Sequence, residues 1–176
     1  AEDGEKLLAL YQGIKAPKLV MSPASAEMAK YAANGFLVTK ISFINDIAML
    51  CEKTGADVRD VAQAMGLDPR IAPAFLQAGL GWGGSCFPKD VHALKSYAGI
   101  QGYEFKLLGA VIEANQHQRE LFLKKIQHEL HMLKGRKIGV WGLSFKPDTD
   151  DIRDSAAIWI VQQLIAQGAE LCVFDP

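Results

Sequence analysis

Cys86 closes a glycine run, Gly79-Leu80-Gly81-Trp82-Gly83-Gly84, and is followed after Phe87 by Pro88-Lys89-Asp90. Proline at a first helical position marks a helix start, so the thiol is expected beside a helix N-terminus. There the positive end of the helix dipole and the Lys89 ammonium both favour the thiolate, the nucleophilic form. Asp90 lies four residues on, roughly one helical turn, where a carboxylate can act as a base or hold a water. The glycines let backbone approach a ligand closely, because no Cβ stands in the way. Their spacing formally satisfies G-x-G-x-x-G, but that fingerprint needs a strand before it and a helix directly after. Neither is indicated here. Lys30 and Asn34 are spaced i,i+4 and share a helix face. They suit an oxyanion or water site and equally a solvated strip, and spacing alone leaves both open.

Other polar groups carry weaker signals. Asp148, Asp150, Asp151 and Asp154 lack the glycine and closing glutamate of a calcium loop, so capping of the following helix is the better account. His128 and His131 lack the H-E-x-x-H pattern and read as surface residues. No metal site is indicated. Cys51, in an apolar helix, and Cys172, in a strand, read as buried structural thiols.

The elements that must position these groups can be drawn from pattern. Residues 5–14 suggest the end of an amphipathic helix, and Lys18-Leu19-Val20-Met21 a short strand. Ser22-Pro23 is an N-cap followed by proline at the first helical position. A helical pattern then runs to about Thr54, where Gly55 stops it. That is about 30 residues, or ~45 Å, apolar almost all round at its middle, as expected of a domain centre that also forms a subunit interface. A short helix from about Asp57 to Met65, an irregular stretch over 69–87, a helix from Pro88 to Tyr97 and a long one over Phe105–Leu133 complete an all-helical centre. After Gly135-Arg136 the character changes. A buried-strand pattern at 137–142, a polar loop, a helix over Ser155–Ala166 and a strand over 170–175 make one βαβ unit, the start of a parallel doubly wound sheet.

The 176 residues are 49% hydrophobic and 22% charged, which places the chain among globular proteins with a sizeable core. Nineteen Lys and Arg against 20 Asp and Glu give a net charge of −1, so charge makes no case for nucleic acid or an anionic membrane as partner. The longest uncharged stretch, Ile71 to Pro88, is interrupted by glycines and prolines and does not suit a membrane helix. Residues 1–4 are acidic and no apolar signal-peptide core follows. Three cysteines without CxxC spacing argue against a disulfide scaffold. A reducing cytoplasm is the expected location.

Three segments together resemble the UDP-glucose/GDP-mannose dehydrogenase family, and within it the UDP-glucose 6-dehydrogenases. They are Gly83-Gly84-Ser85-Cys86-Phe87-Pro88-Lys89-Asp90; Ala26 to Asn34 with Ile41-Ser42-Phe43-Ile44-Asn45; and Gly142-Leu143-Ser144-Phe145-Lys146-Pro147-Asp148-Thr149-Asp150-Asp151-Ile152-Arg153-Asp154-Ser155. The motifs occur in the family's order and spacing, and the likeness covers essentially the whole chain. It implies a mainly α chain: residues 1–22 as the tail of an NAD-binding domain, 23–134 as a central helical dimerisation domain, and 135–176 as the start of a Rossmann-like UDP-sugar-binding domain. On that map the chain is a fragment of a larger α/β enzyme.

The resemblance further implies NAD-dependent oxidation of UDP-glucose to UDP-glucuronate. Cys86 would be the nucleophile that carries a thiohemiacetal and then a thioester. Lys30 and Asn34 would stabilise the oxyanion, place water and contact substrate, and Asp90 would assist as base. Substrate contacts would come from Arg70, acting on the partner subunit's substrate, and from Phe75, Leu76, Gln77, Gly79, Gly81, Trp82 and Gly83 of a wrapping loop. Phe145 and Lys146 would add a further pair. Cys86, Lys89 and Arg153 would meet NAD. Trp82 departs from the family's usual Tyr or Phe, which keeps the aromatic but would lose a phenol contact. A homodimer through the helix 23–54 is expected. GDP-mannose or another nucleotide sugar is the alternative substrate, and a non-catalytic dimerisation module the alternative of another class. A cysteine hydrolase lacks a histidine placed near Cys86 by any motif.

Overall fold

The computed structural model describes residues 2–175; Ala1 and Pro176, which the expected units 1–22 and 135–176 include, lie outside it. Among the described residues are helices α1 (Glu2–Leu10), α2 (Pro23–Thr54), α3 (Val58–Gly66), α4 (Phe87–Ile100), α5 (Lys106–Leu130) and α6 (Ala156–Ala166), with strands β1 (Lys137–Trp141) and β2 (Glu170–Phe174). The chain is mainly α, with one small parallel sheet.

Local chemistry sets the ends of α2. The Ser22 hydroxyl accepts from the Ser25 amide, Pro23 opens the first turn, and Gly55 at φ 77° donates its N–H to the Cys51 carbonyl. A left-handed residue there favours glycine. The buried side of α2 carries Asn34, Val38, Ser42 and Asn45. The helix is therefore not enclosed all round. Phe36 (65% exposed), Phe43 (50%) and Leu50 (56%) form an uncovered stripe at seven-residue spacing.

Two hydrophobic cores lie along the chain. The first joins Val38 of α2, Trp82, Val91 and Leu94 of α4, and Leu108 and Val111 of α5. The second joins Leu123 of α5, Leu133, Ile160 and Leu164 of α6, and Ala169, with Ile138 and Leu171 of the strands packed against it. Helix α5 thus belongs to both cores, its amino-terminal half in the first and its carboxyl-terminal half in the second. β1 and β2 pair in parallel, Lys137 opposite Glu170 through Trp141 opposite Phe174, and α6 connects them.

Several expectations are corrected. Lys18–Met21 is not a strand; no strand lies beside it among the described residues, and Leu19 and Val20 are exposed. The first helix ends at Leu10, and α5 stops at Leu130, where His131 adopts φ 59°. β1 is not buried on both faces: its burial alternates and Trp141 is 86% exposed, since the second core packs on the face that carries Ile138 and Leu171. For the same reason Cys172 is exposed, whereas Cys51 is buried. No aspartate side chain caps α6; its N-cap is Ser155, which makes no capping bond. His128 and His131 are exposed.

Candidate active site

Five of the residues singled out by sequence meet at the start of α4. Cys86 is the residue preceding that helix; it makes no side-chain cap bond and its thiol is exposed. The Cys86 carbonyl accepts the Asp90 amide at 2.9 Å, closing the first helical turn. Asp90 is only 4% exposed, and the elements around it supply its partners. From α2, Asn34 donates Nδ2–H to Asp90 Oδ2 at 2.5 Å, and the Lys30 ammonium stands 3.7 Å from the same oxygen. From α4 itself, Lys89 donates to Asp90 Oδ1.

This arrangement fixes the protonation of the carboxyl. The Lys89 hydrogen bond foremost, with help from Asn34 and Lys30, holds Asp90 below the usual carboxylate range, although burial pulls the other way. Lys89 is raised in turn, chiefly by its bond to Asp90 and to a lesser degree by the nearby Cys86 sulfur. A carboxylate so stabilised is a poor proton acceptor near neutrality. Of the two roles its position suggested, anchoring polar groups and water fits the geometry better than general base.

Beside this cluster lies a cavity of about 440 Å³ lined by Ile41, Pro73, Ala74, Phe75, Gln77, Gly81, Trp82, Gly83, Phe87, Phe145 and Lys146. Seven residues expected at a substrate site therefore converge: Phe75, Gln77, Gly81, Trp82, Gly83, Phe145 and Lys146. Phe75 adopts φ 65°, a conformation costing about 1–3 kcal/mol in a non-glycine residue, and its ring meets Phe87 edge-on at 6.2 Å. Lys40 steadies the preceding turn by donating to the Ile71 and Ala72 carbonyls at 3.0 and 3.2 Å.

Other expected residues lie apart from the cavity. Leu76 is buried. Gly79 donates its N–H to Asn45 Oδ1 at 2.8 Å and accepts from Gln118. Arg70 is 87% exposed and clasped by Asp68. Arg153 is likewise clasped by Asp151, at 3.0 and 2.8 Å, which holds that carboxyl at about 2. Trp82 is buried, and its indole N–H donates to Ser42 Oγ at 3.1 Å, so this side chain makes its polar contact inward.

The glycine run, of which Gly81 and Gly83 line the cavity, also makes room inside the protein. A Cβ on Gly81 would stand 2.5 Å from Asn115 Oδ1, one on Gly83 2.1 Å from the Asp154 carbonyl oxygen, and one on Gly84 2.7 Å from the Phe145 ring. The close approach is to the protein's own groups. Asn115 and Arg119, which sequence reasoning passed over, fix this loop. Asn115 accepts the Trp82 N–H and donates to the Trp82 carbonyl, and Arg119 donates to that carbonyl and to Asp154. The signal was present: they occupy the buried register of α5, Leu108, Val111, Asn115, Arg119, Leu123.

Residues 24–117 match the central domain of the UDP-glucose/GDP-mannose dehydrogenase family, and residues 139–176 match its UDP binding domain. The chain belongs to the UDP-glucose/GDP-mannose dehydrogenase family. It is 52% identical to the UDP-glucose 6-dehydrogenase TuaD of Bacillus subtilis over 167 residues, covering 95% of this chain and 36% of that protein. It is 45% identical to the UDP-glucose 6-dehydrogenase of Pseudomonas aeruginosa over 159 residues, 90% of this chain and 35% of that protein. A UDP-glucose dehydrogenase structure from Pyrobaculum islandicum superposes with a TM-score of 0.96 at 42% identity, over 99% of this chain and 40% of that one. The chain thus spans little more than a third of the curated relatives it matches, and corresponds to a portion of a larger enzyme of this nucleotide-sugar dehydrogenase family. No helix among the described residues is long and apolar enough to cross a membrane.

A dinucleotide fits these residues only at its edge. The glycine run is preceded by irregular backbone and packs on Asn115 and Phe145 rather than opening a strand-to-helix turn. Lys89 and the exposed Arg153 are cations close enough for Cys86 to influence both.

Proposed function

We propose that the protein oxidises UDP-glucose to UDP-glucuronate with NAD, in the cytoplasm, and that residues 23–134 form its central domain between the tail of an NAD domain (1–22) and the start of a UDP-sugar domain (135–176). The observation that carries the proposal is the convergence, at the first turn of α4, of an exposed thiol with two ammonium groups and an amide, beside the cavity reached by Phe145 and Lys146.

The sugar C6 alcohol loses a hydride and gives its hydroxyl proton to water, leaving an aldehyde. The Cys86 thiolate adds to that carbonyl, forming the C–S bond of a thiohemiacetal. Lys30 and Asn34 donate toward the developing oxyanion, with Asp90 holding both in place. Loss of a second hydride leaves a thioester on Cys86. Water positioned by the polar cluster then releases the carboxylate and restores the thiol, so four electrons leave the sugar in all. Bound NAD supplies the hydride acceptor in each oxidation. Lys89 and Arg153 would hold its anionic groups. Gln77, Trp82, Phe145 and Lys146 would seat the sugar nucleotide, the lysine against phosphate.

The protein would act as a homodimer through the uncovered stripe of α2, with Arg70 serving the partner's site. The test uses the full reading frame that encodes this chain. Two NADH per UDP-glucose are expected, with none from GDP-mannose, and Cys86→Ser should yield no acid product. Undiminished glucuronate formation by Cys86→Ser would sink the mechanism, and turnover of GDP-mannose alone would replace the substrate. A stable dimer silent with both would favour the dimerisation module.

A further inference from the structure

We infer that Asn115 and Arg119 are positioning residues for the oxidation, holding the Cys86 loop in register with the Phe145–Lys146 loop although neither lines the cavity. The inference rests on the function proposed above.

The clamp is built at the junction of the two cores. Asn115 and Arg119 lie one turn apart on α5, the helix shared by both, and each is 6% exposed. The Asn115 amide pairs with the Trp82 peptide as a neighbouring strand would, accepting its N–H at 2.8 Å and donating to its carbonyl at 3.0 Å. Arg119 Nη2 donates to the same carbonyl at 2.8 Å and to the Asp154 carbonyl at 3.2 Å, while Nη1 stands 3.4 Å from Asp154 Oδ1. One guanidinium group therefore joins the backbone four residues before Cys86 to the backbone just after Arg153.

Two further contacts continue the seam. The Gly84 amide donates to the Arg153 carbonyl at 2.9 Å, and the Phe145 ring lies against Gly84 so closely that a Cβ would not fit. Nucleophile and phosphate-facing lysine sit on separate cores, and this seam sets the offset between them. Reactions that depend on approach geometry lose about 100-fold for a displacement near 1 Å. A guanidinium group serves here because it reaches two carbonyls and a carboxylate from one plane, which an ammonium cannot do.

The test compares Arg119→Met and Arg119→Lys with the parent, expressed from the full reading frame and assayed well below each variant's Tm. Arg119→Met should lower kcat about 10-fold to 100-fold with KM changed far less, and Arg119→Lys should recover part of that loss. Alkylation of Cys86 by iodoacetamide supplies a readout needing neither NAD nor turnover. UDP-glucose should slow it markedly in the parent and much less in Arg119→Met. Asp154→Asn, an exposed change in the same clamp, should move both readouts in the same direction by a smaller factor, and it stands in if Arg119→Met does not fold. Parental kcat with parental UDP-glucose protection in folded Arg119→Met, or in Asp154→Asn if it stands in, would overturn the inference. Failure of the parent to oxidise UDP-glucose would overturn the function instead. What remains testable in that case is the placement of the Cys86 loop by Arg119, which altered Cys86 alkylation rates in Arg119→Met would support and equal rates would overturn.

Discussion

Asp90 shows how one buried side chain organises a site without doing the bond-making itself. Its two oxygens gather an amide and two ammonium groups from α2 and α4, so the carboxylate must be charged for the cluster to hold. Its folded pKa lies below the ordinary carboxylate value of 3.8. The native state therefore binds the proton more weakly than the unfolded chain does, and the group contributes stability that is present above 3.8 and lost as pH falls through its lowered folded value. Asp57, Asp68 and Asp151 are lowered too, each by a neighbouring arginine, so the parent's acid limb is a sum. Subtraction isolates Asp90. Asp90→Asn should have a lower Tm than the parent at pH 7, and the gap should narrow as pH drops below about 4. Thermal unfolding of both proteins from pH 3 to 8 measures it, and a gap constant with pH would show that the carboxylate's charge is not what stabilises the cluster.

Both ends of the long α2 and the βαβ unit were legible in sequence because capping residues and hydrophobic period are local signals. Ser22-Pro23 and Gly55 act within a few residues of themselves, and Cys86, Asp90, Lys30 and Asn34 belong to motifs. What was not legible depended on partners distant in the chain. Lys18–Met21 has strand composition but, among the described residues, no strand beside it, Asp154 turns to Arg119 instead of capping α6, and the glycine run makes room for Asn115, Asp154 and Phe145. The last point has a measurable consequence at Gly83. Its missing Cβ would meet a backbone oxygen at 2.1 Å, and a carbonyl held in the Arg119 clamp cannot move aside as a side-chain tip would. Gly83→Ala should destabilise the protein by about 1–3 kcal/mol, the range for overpacking, whereas Gly79→Ala, with nothing within 4 Å, should cost much less. Denaturant midpoints for the two variants decide this, and equal midpoints would mean that the seam yields.

Taken whole, the molecule presents a face it does not cover. Phe36, Phe43 and Leu50 recur at seven-residue spacing on α2, which is the stripe a paired helix requires, and burying such side chains contributes roughly 25 cal/mol per Å² of apolar area. If a second copy covers it, a symmetric dimer brings each protomer's exposed Arg70 within range of surfaces its own chain does not provide. Asp68 holds the exposed Arg70 guanidinium in a fork. Co-expression of Cys86→Ser and Arg70→Ala chains from the full reading frame separates the alternatives. A mixed dimer contains one site with an intact Cys86, on the Arg70→Ala chain, facing an intact Arg70 on the other. If Arg70 acts across the interface, random assembly should restore complete sites to about a quarter of the parental number, from the symmetry of the pair. If it acts within its own chain, no complete site forms and mixing restores nothing. Adding Phe43→Asp to both chains should abolish the restored activity and give a monomer by sedimentation, because a buried carboxylate at the centre of the stripe has no partner to offset its desolvation. Restoration that survives this change would place the contact between subunits somewhere other than α2.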